Sequence, residues 1–278
     1  MATRSPSQNL DKSHYVIRGG TEGRERLRIL SRVMWPCTLN LLQRAGLRSG
    51  MACLDVGCGG GDVSRELARL VGPGGRVVGI DIDEVKIAIA REEAAALGLL
   101  NLEFRTCNLS EGDPQPEYDL VYARFLLTHL PDPSAILAKI RQALRPGGTL
   151  VVADIDFRGY FSYPESPALI RYVALYTEAV QRRGGDPNIG PRLPALLTAA
   201  GFAGIQMSVA QPAGLEGEVK LISPLTMENI ADAVMAEGLA SRSEIDQIVD
   251  ELYAYARTPG TVGCMPRVVE AWGHGPQA

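Results

Sequence analysis

Nine residues, LDVGCGGGD at 54–62, set four glycines between an apolar run and a segment of helical periodicity. Glycine lets a chain turn through left-handed conformations and lets another group approach the backbone closely, so a bare turn between a strand and a helix reads as a ligand site. The pattern around it fixes the fold class. Residues 51–56 read as a short buried strand, and 62–71 as the helix that follows. GGRVVGID (74–81) supplies a second strand, and 84–97 a helix with Val85, Ile89 and Ala96 on one side. NLEFRTC (101–107) alternates with period two as a third strand, YDLVYA (118–123) is a fourth, and DPSAILAKIRQALRPGG (132–148) is a helix ended by Pro-Gly-Gly. TLVVADI (149–155) makes a fifth strand. This alternation predicts an α/β fold with a doubly wound parallel sheet, whose ligand lies at the carboxyl ends of the strands.

Composition removes other classes. At 278 residues and 46% apolar, the chain can bury one substantial core with a lid or cap. No apolar stretch approaches the ~18 residues of a membrane span, and the polar opening MATRSPSQNLDKSH lacks a signal-peptide core, so a soluble cytoplasmic protein is expected. A net charge of −4 provides no basic field for a nucleic acid. The five cysteines include no CxxC pair, which points away from zinc and disulfides and toward buried small hydrophobes. Arg24, Arg26, Arg28 and Arg32 alternate with Leu27, Leu30 and Met34, as on the solvated face of an amphipathic helix.

Three ligands compete for the glycine turn. A P-loop requires Lys and Ser or Thr after its last glycine, where this chain has Asp62-Val63. A dinucleotide fingerprint begins well at Gly57 and Gly59 but meets Asp62 in place of its third glycine, and a carboxylate there repels pyrophosphate. A nucleoside with a sulfonium and an amino-acid tail suits Asp55 and Asp62 better. LDVGCGGGD resembles the glycine-rich motif of class I S-adenosylmethionine-dependent methyltransferases, and VVGIDID (77–83) resembles their second motif. The resemblance continues through YDLVYARFLLTHLPDP, LRPGGTLVVADID and LLTAAGF, over roughly residues 50 to 210, and implies a Rossmann-like seven-stranded sheet with an antiparallel last strand in MPRVVEAWG.

Carried over residue by residue, the resemblance implies that Asp55, Gly57, Gly59 and Gly61 line the methionine end of S-adenosylmethionine. Asp81 takes the ribose hydroxyls and Ile82 packs on the adenine. Asn108, with Leu109 beside it, stands where the family commonly has an Asp that accepts from the adenine amino group, and an amide oxygen can accept the same bond. Ala123 and Arg124 reach the amino-acid tail or the acceptor. HYVIRGGTEGRERL (14–27) resembles an N-terminal segment that folds over the cofactor, which makes Tyr15, Arg18, Gly19 and Gly20 lid candidates; a plain turn before a helix is the alternative.

DFRGYFSYPESP (156–167) leads into a helix over 168–183 with Ile170, Val173, Ala174 and Val180 on its apolar side. Asp156, Tyr160, Phe161 and Tyr163 are the candidates for acceptor binding, and His129 in THLPDP is the candidate base, beside its alternative as a turn-capping histidine; His14 is a second candidate base. Asp154 and Asp156 raise a magnesium site, but the acidic residue that metal-assisted methyltransferases place at the end of the fourth strand is replaced by Ala123-Arg124, so no metal is expected. The expected organisation is a lid and helices over 1–48, a cofactor-binding core over 49–156, acceptor-pocket helices over 157–200, and C-terminal strands over 201–278 with a helical insertion at 226–258. The function implied is methyl transfer to a small, moderately apolar metabolite, on oxygen or carbon before nitrogen. The alternative is a non-methylating catalyst on the same fold, and the sequence leaves homo-oligomer formation open.

Overall fold

The computed structural model describes residues 16, 17, 23–112 and 114–277. Helix α1 (Arg24–Arg44) precedes a regular alternation: β1 (Ala52–Val56), α2 (Asp62–Val71), β2 (Arg76–Asp81), α3 (Glu84–Ala96), β3 (Leu102–Thr106), β4 (Tyr118–Arg124), α4 (Pro133–Ala143) and β5 (Leu144–Asp156). The helices start where local chemistry supplies acceptors for their first N–H groups. Asp83 accepts from the amides of Val85 and Lys86 at α3, and Asp132 from Ser134 and Ala135 at α4. Pro133 occupies the first turn of α4, where a missing N–H costs nothing.

Helices α5 (Pro167–Arg182) and α6 (Leu193–Ala199) lead to β6 (Ala203–Ala210), and the two-residue strands β7 (Ala213–Gly214) and β8 (Gly263–Cys264) pair with each other. Between them run α7 (Ile222–Ala236) and α8 (Arg242–Arg257), and β9 (Arg267–His274) closes the chain. The seven-stranded sheet has the order β3-β2-β1-β4-β5-β9-β6, with β9 antiparallel to both its neighbours. Order reverses between β1 and β4, the point where a doubly wound sheet opens a crevice at its carboxyl edge.

One face of the sheet carries a core around Leu137, Ile140, Leu193 and Leu197, the other a core around Leu41, Leu67, Val71 and Trp272. A third cluster sits beyond the carboxyl edge, where α5, α7 and α8 pack together through Leu175, Met227, Ile230, Val234, Ile248 and Leu252. These three helices form a cap over the crevice.

Three sequence expectations are corrected. The helix in 132–148 ends at Ala143, because Leu144 already pairs with Tyr118 and Pro146 disfavours helical geometry at Arg145; the Pro-Gly-Gly lies within the extended β5 segment, in the irregular stretch of the ladder between Leu144 and Thr149. Helix α5 buries Tyr172, Leu175, Tyr176 and Ala179, whereas Ile170 is exposed, so its inner face is rotated from the one expected. The arginines of α1 do not share one solvated face, since Arg24 and Arg26 are buried while Arg28 and Arg32 remain exposed.

Candidate cofactor and acceptor site

Gly57, Gly59 and Gly61 all adopt positive φ, at 72°, 56° and 74°. A Cβ at Gly57 would lie 3.2 Å from Leu126, and one at Gly61 would press on the Phe104 ring, 2.6 Å from its Cε1. The first constraint belongs to the crevice floor, the second to the seam where α2 leans on β3, so two glycines of one motif answer to different neighbours. The turn is tied to β2 by Gly57 N–H and Cys58 N–H, which both donate to the Ile80 carbonyl at 2.8 and 3.0 Å.

Asp81 ends β2 and is buried, with one carboxylate oxygen accepting from Gly59 N–H and the other from Asp83 N–H, each at 2.9 Å. Those two bonds fix the carboxylate while leaving lone pairs for a ligand. Asp55 ends β1, receives the Ser64 hydroxyl at 2.6 Å, and is 3% exposed. Burial pushes its pKa up to about 6, against the opposing pull of the Ser64 bond and the Arg124 charge.

Asp62 behaves differently from the sequence expectation. Its carboxylate is taken up by Arg24 at 2.5 and 2.9 Å and by Arg65 at 2.5 Å, and both arginines also reach Glu93. Glu93 falls to about 2, because the Arg24 and Arg28 bonds outweigh its burial. This network clamps α1, α2 and α3 together beneath the glycine turn. Asp62 is therefore neither a partner held ready for a sulfonium nor a bare charge repelling phosphate. What separates this site from a dinucleotide site is instead the sheet order, with antiparallel β9 inserted between β5 and β6.

A cleft of about 1060 Å³, its open mouth included, runs from this turn into the cap. Ligand sites typically span roughly 300–1,000 Å³, so the cleft has room for a nucleoside-sized cofactor and a second small molecule. At one end it is lined by Asp55, Gly57, Gly59, Asp81 and Lys86; at the other, by Phe157, Tyr160, Tyr172, Tyr176, Ile222 and Thr226. The aromatic end is ordered by its own packing: Phe157 stacks on Tyr176 at 4.0 Å between centroids, and Tyr160 meets Phe157 and Tyr172 edge-on. Arg124 and Phe125 line the stretch between. Phe125 has φ of 53°, rare for an aromatic residue, and its amide donates to the Ala153 carbonyl at 2.9 Å, which turns the chain sharply at the end of β4.

The other expected residues divide. Ile82, Asn108, Leu109 and Ala123 stand at the carboxyl ends of β2, β3 and β4 but do not line the cleft. Asn108 caps the short turn after β3, its Oδ1 accepting from the Ser110 amide and hydroxyl, so that oxygen is already engaged. Of the acceptor candidates, Tyr160 lines the cleft; Phe161 and Tyr163 point outward, 47% and 72% exposed, and Asp156 is buried in ion pairs with Arg158 and Arg267 at 2.7 and 3.5 Å. Tyr15, Arg18, Gly19, Gly20 and His14 lie outside the described residues. Asp154 is wholly buried, caps the turn before α4 by accepting from the Thr128 amide at 3.1 Å, and is pushed up to about 7 by burial.

His129 lines the cleft and is 2% exposed. Burial first, then the charges of Arg26 and Lys86, lower its pKa to about 3. An imidazole that weakly basic is a poor match for proton removal near neutral pH. Sequence reasoning missed Phe157, Tyr172, Tyr176, Arg26 and Thr226. Tyr172 and Tyr176 share a helix face at i, i+4, a signal that was available.

Residues 47–180 match a family model described as a methyltransferase domain. This segment is a class I S-adenosylmethionine-dependent methyltransferase domain. The ubiquinone biosynthesis O-methyltransferase of Acinetobacter baumannii is 35% identical over 124 residues, 44% of this chain and 51% of that protein. The ubiquinone/menaquinone biosynthesis C-methyltransferase of Hahella chejuensis is 32% identical over 139 residues, 49% of this chain and 53% of that protein. The chain spans about half the length of the curated relatives it matches. Among solved structures, the phosphoethanolamine N-methyltransferase 2 of Haemonchus contortus, in complex with phosphomonomethylethanolamine and S-adenosylhomocysteine, superposes with a TM-score of 0.57 at 17% identity, covering 90% of this chain and 56% of that one. The methyltransferase domain supplies β1 to β5; α6 to α8, β6 and β9 lie beyond the matched segment.

Proposed function

We propose that the chain binds S-adenosylmethionine along the glycine turn and transfers its methyl group to a small acceptor seated under the cap. One observation carries the reading: a bared backbone turn and two buried carboxylates, Asp55 and Asp81, open into the same cleft as a separate aromatic chamber. The donor set fits the cofactor, because Asp81 keeps lone pairs for two ribose hydroxyls and Asp55 offers charge to a cationic tail or sulfonium. Relatives named as O- and C-methyltransferases support transfer to oxygen or carbon rather than nitrogen. The net charge of −4 and the small chamber favour a metabolite over a nucleic acid.

The cofactor, when bound, supplies an electrophilic methyl carbon and departs as a neutral thioether. The protein's part is to hold the acceptor in line and keep water away, which is where most of the barrier reduction in such displacements arises. Gly57, Gly59 and Asp81 would hold the cofactor through a turn already hydrogen-bonded to β2. Phe157, Tyr160, Tyr172 and Tyr176 shape the chamber, and His129 forms part of its wall as a neutral ring. Phe125, its amide held by the Ala153 carbonyl, lines the stretch between the two ends.

Calorimetry checks the cofactor assignment: S-adenosylmethionine and S-adenosylhomocysteine should bind and NAD should not. Asp81→Asn, which halves the acceptor capacity at the ribose, should weaken S-adenosylhomocysteine by about 1–3 kcal/mol with the fold intact. Tight NAD binding, or unchanged affinity in a folded Asp81→Asn protein, would overturn the reading.

A further inference from the structure

Arg26 is 8% exposed and lines the cleft, yet among the described residues no carboxylate lies within 4.0 Å of it. Its one hydrogen bond is from Nε to the Thr226 hydroxyl at 3.0 Å, and that hydroxyl is itself oriented by donating to the Ile222 carbonyl at 2.6 Å. Every other buried arginine in this region is neutralised: Arg24 and Arg65, from α1 and α2, are both satisfied by Asp62 and Glu93. Arg24 and Arg26 stand two positions apart, so on a helix they point to different sides, one under the glycine turn and the other toward the cap. A guanidinium keeps its charge at any working pH, and burying one without a counter-charge is costly.

The surroundings indicate what Arg26 is kept for. Its bond to Thr226 holds it at the aromatic end of the cleft, where its charge acts on Tyr172. The carboxylates that line the cleft, Asp55, Asp81 and Asp62, stand at the carboxyl ends of β1 and β2 and at the start of α2. Anchored at Nε, the guanidinium has both terminal nitrogens without a hydrogen bond among the described residues, the fork that grips a carboxylate through two parallel bonds. Phe157, Tyr160 and Tyr176 line the same cleft with aromatic surface.

We propose that Arg26 binds the carboxylate of the methyl acceptor, making the preferred acceptor an aromatic or similarly apolar acid. The proposal rests on the methyltransferase reading for the word acceptor, but the anion site itself does not. The same carboxylate chemistry could come from the amino-acid tail of the cofactor, and the test separates the two.

Benzoate and its uncharged analogue benzamide serve as probes, titrated by calorimetry or ligand-observed NMR into wild-type protein with and without saturating S-adenosylhomocysteine. Benzoate should bind about tenfold more tightly than benzamide, the range of one charge-assisted bidentate contact. Arg26→Met should abolish that preference, Arg26→Lys should keep part of it, and neither should change S-adenosylhomocysteine affinity more than about threefold. Equal binding of the two probes to the wild type, or binding of neither, overturns the proposal without needing any variant to fold. Arg26→Met weakening S-adenosylhomocysteine while leaving 5′-methylthioadenosine unchanged assigns the guanidinium to the cofactor tail and overturns it equally. A benzoate preference in a protein that binds no S-adenosylhomocysteine keeps the anion site and removes the methyltransferase reading.

Discussion

A single carboxyl group sets the pH behaviour expected of the site. Asp55 has a folded pKa of about 6 because burial disfavours its charge, while its unfolded value lies near 3.9. Folding of the empty protein therefore gains from a protonated Asp55 below about pH 4, and that contribution is lost as pH rises through 6. Binding of a cation runs the other way, since it requires the ionised form. The affinity of S-adenosylhomocysteine, whose amino group is cationic, should thus be flat above about pH 7 and fall by about tenfold per unit below about 6. Ser64→Ala removes a hydrogen bond that favours the charged form and should move this midpoint upward. A calorimetric pH series that stays flat from 7 to 5 would remove Asp55 from the cofactor's surroundings. Sequence spacing was enough to place Asp55 and Asp81 at strand ends. It misassigned Asp62 to the ligand, because a carboxylate at a helix start looks the same whether it faces a ligand or two arginines arriving from 38 positions upstream and three downstream.

Among the secondary-structure elements, the strands and helices around the sheet were legible because each carries a single hydrophobic pattern along its length. α2 was bounded correctly at both ends, and β9 was placed as the antiparallel strand. The cap helices were less so. α5 does carry one buried stripe, Tyr172, Leu175, Tyr176 and Ala179, but half of that stripe is tyrosine while the exposed Ile170 looks like a core residue, so the expected face came out rotated. The same limit explains the acceptor candidates. In 156–167 the aromatic residues announced a pocket, but Phe157 and Tyr160 turn inward while Phe161 and Tyr163 turn out, a choice made by a short 3-10 turn at Phe157–Gly159 that has no marker in the sequence. The seam between α2 and β3 gives the prediction for this scale. Gly61→Ala meets both an unfavourable φ and the Phe104 ring, and should destabilise the protein by about 2–4 kcal/mol in urea unfolding. Adding Phe104→Ala should make the Gly61→Ala cost smaller in the double variant than in the wild-type background; strict additivity would show that the ring is not the obstacle.

For the molecule as a whole, the apolar clusters define two bodies that meet at the cleft. Two cores grip the sheet from either face, and the third belongs to α5, α7 and α8, joined to the sheet through Ile155 and Phe157. Regions that share few core residues open separately. Native-state hydrogen exchange should therefore find amides of α7 and α8 exchanging through an opening of lower free energy than those of β1, β4 and β5, and S-adenosylhomocysteine should protect the glycine turn more than α8. Exchange of cap and sheet at one common free energy would mean that they unfold as a unit.

This partition has a consequence for how such a chain diverges. The turn that receives a cofactor draws its shape from β1, β2, Phe104 and the clamp of Arg24, Asp62, Arg65 and Glu93, none of which belongs to the cap. The chamber draws its shape from Phe157, Tyr172, Tyr176 and Thr226, none of which supports the turn. The two sets share no residue, although α1 touches both through Arg24 in the clamp and Arg26 at Thr226; on the reading proposed above, change in the cap helices can alter the acceptor chamber while the residues at the donor end stay constant. The molecule is in this sense modular within a single chain, a fixed donor socket beside a wall that selection is free to rebuild.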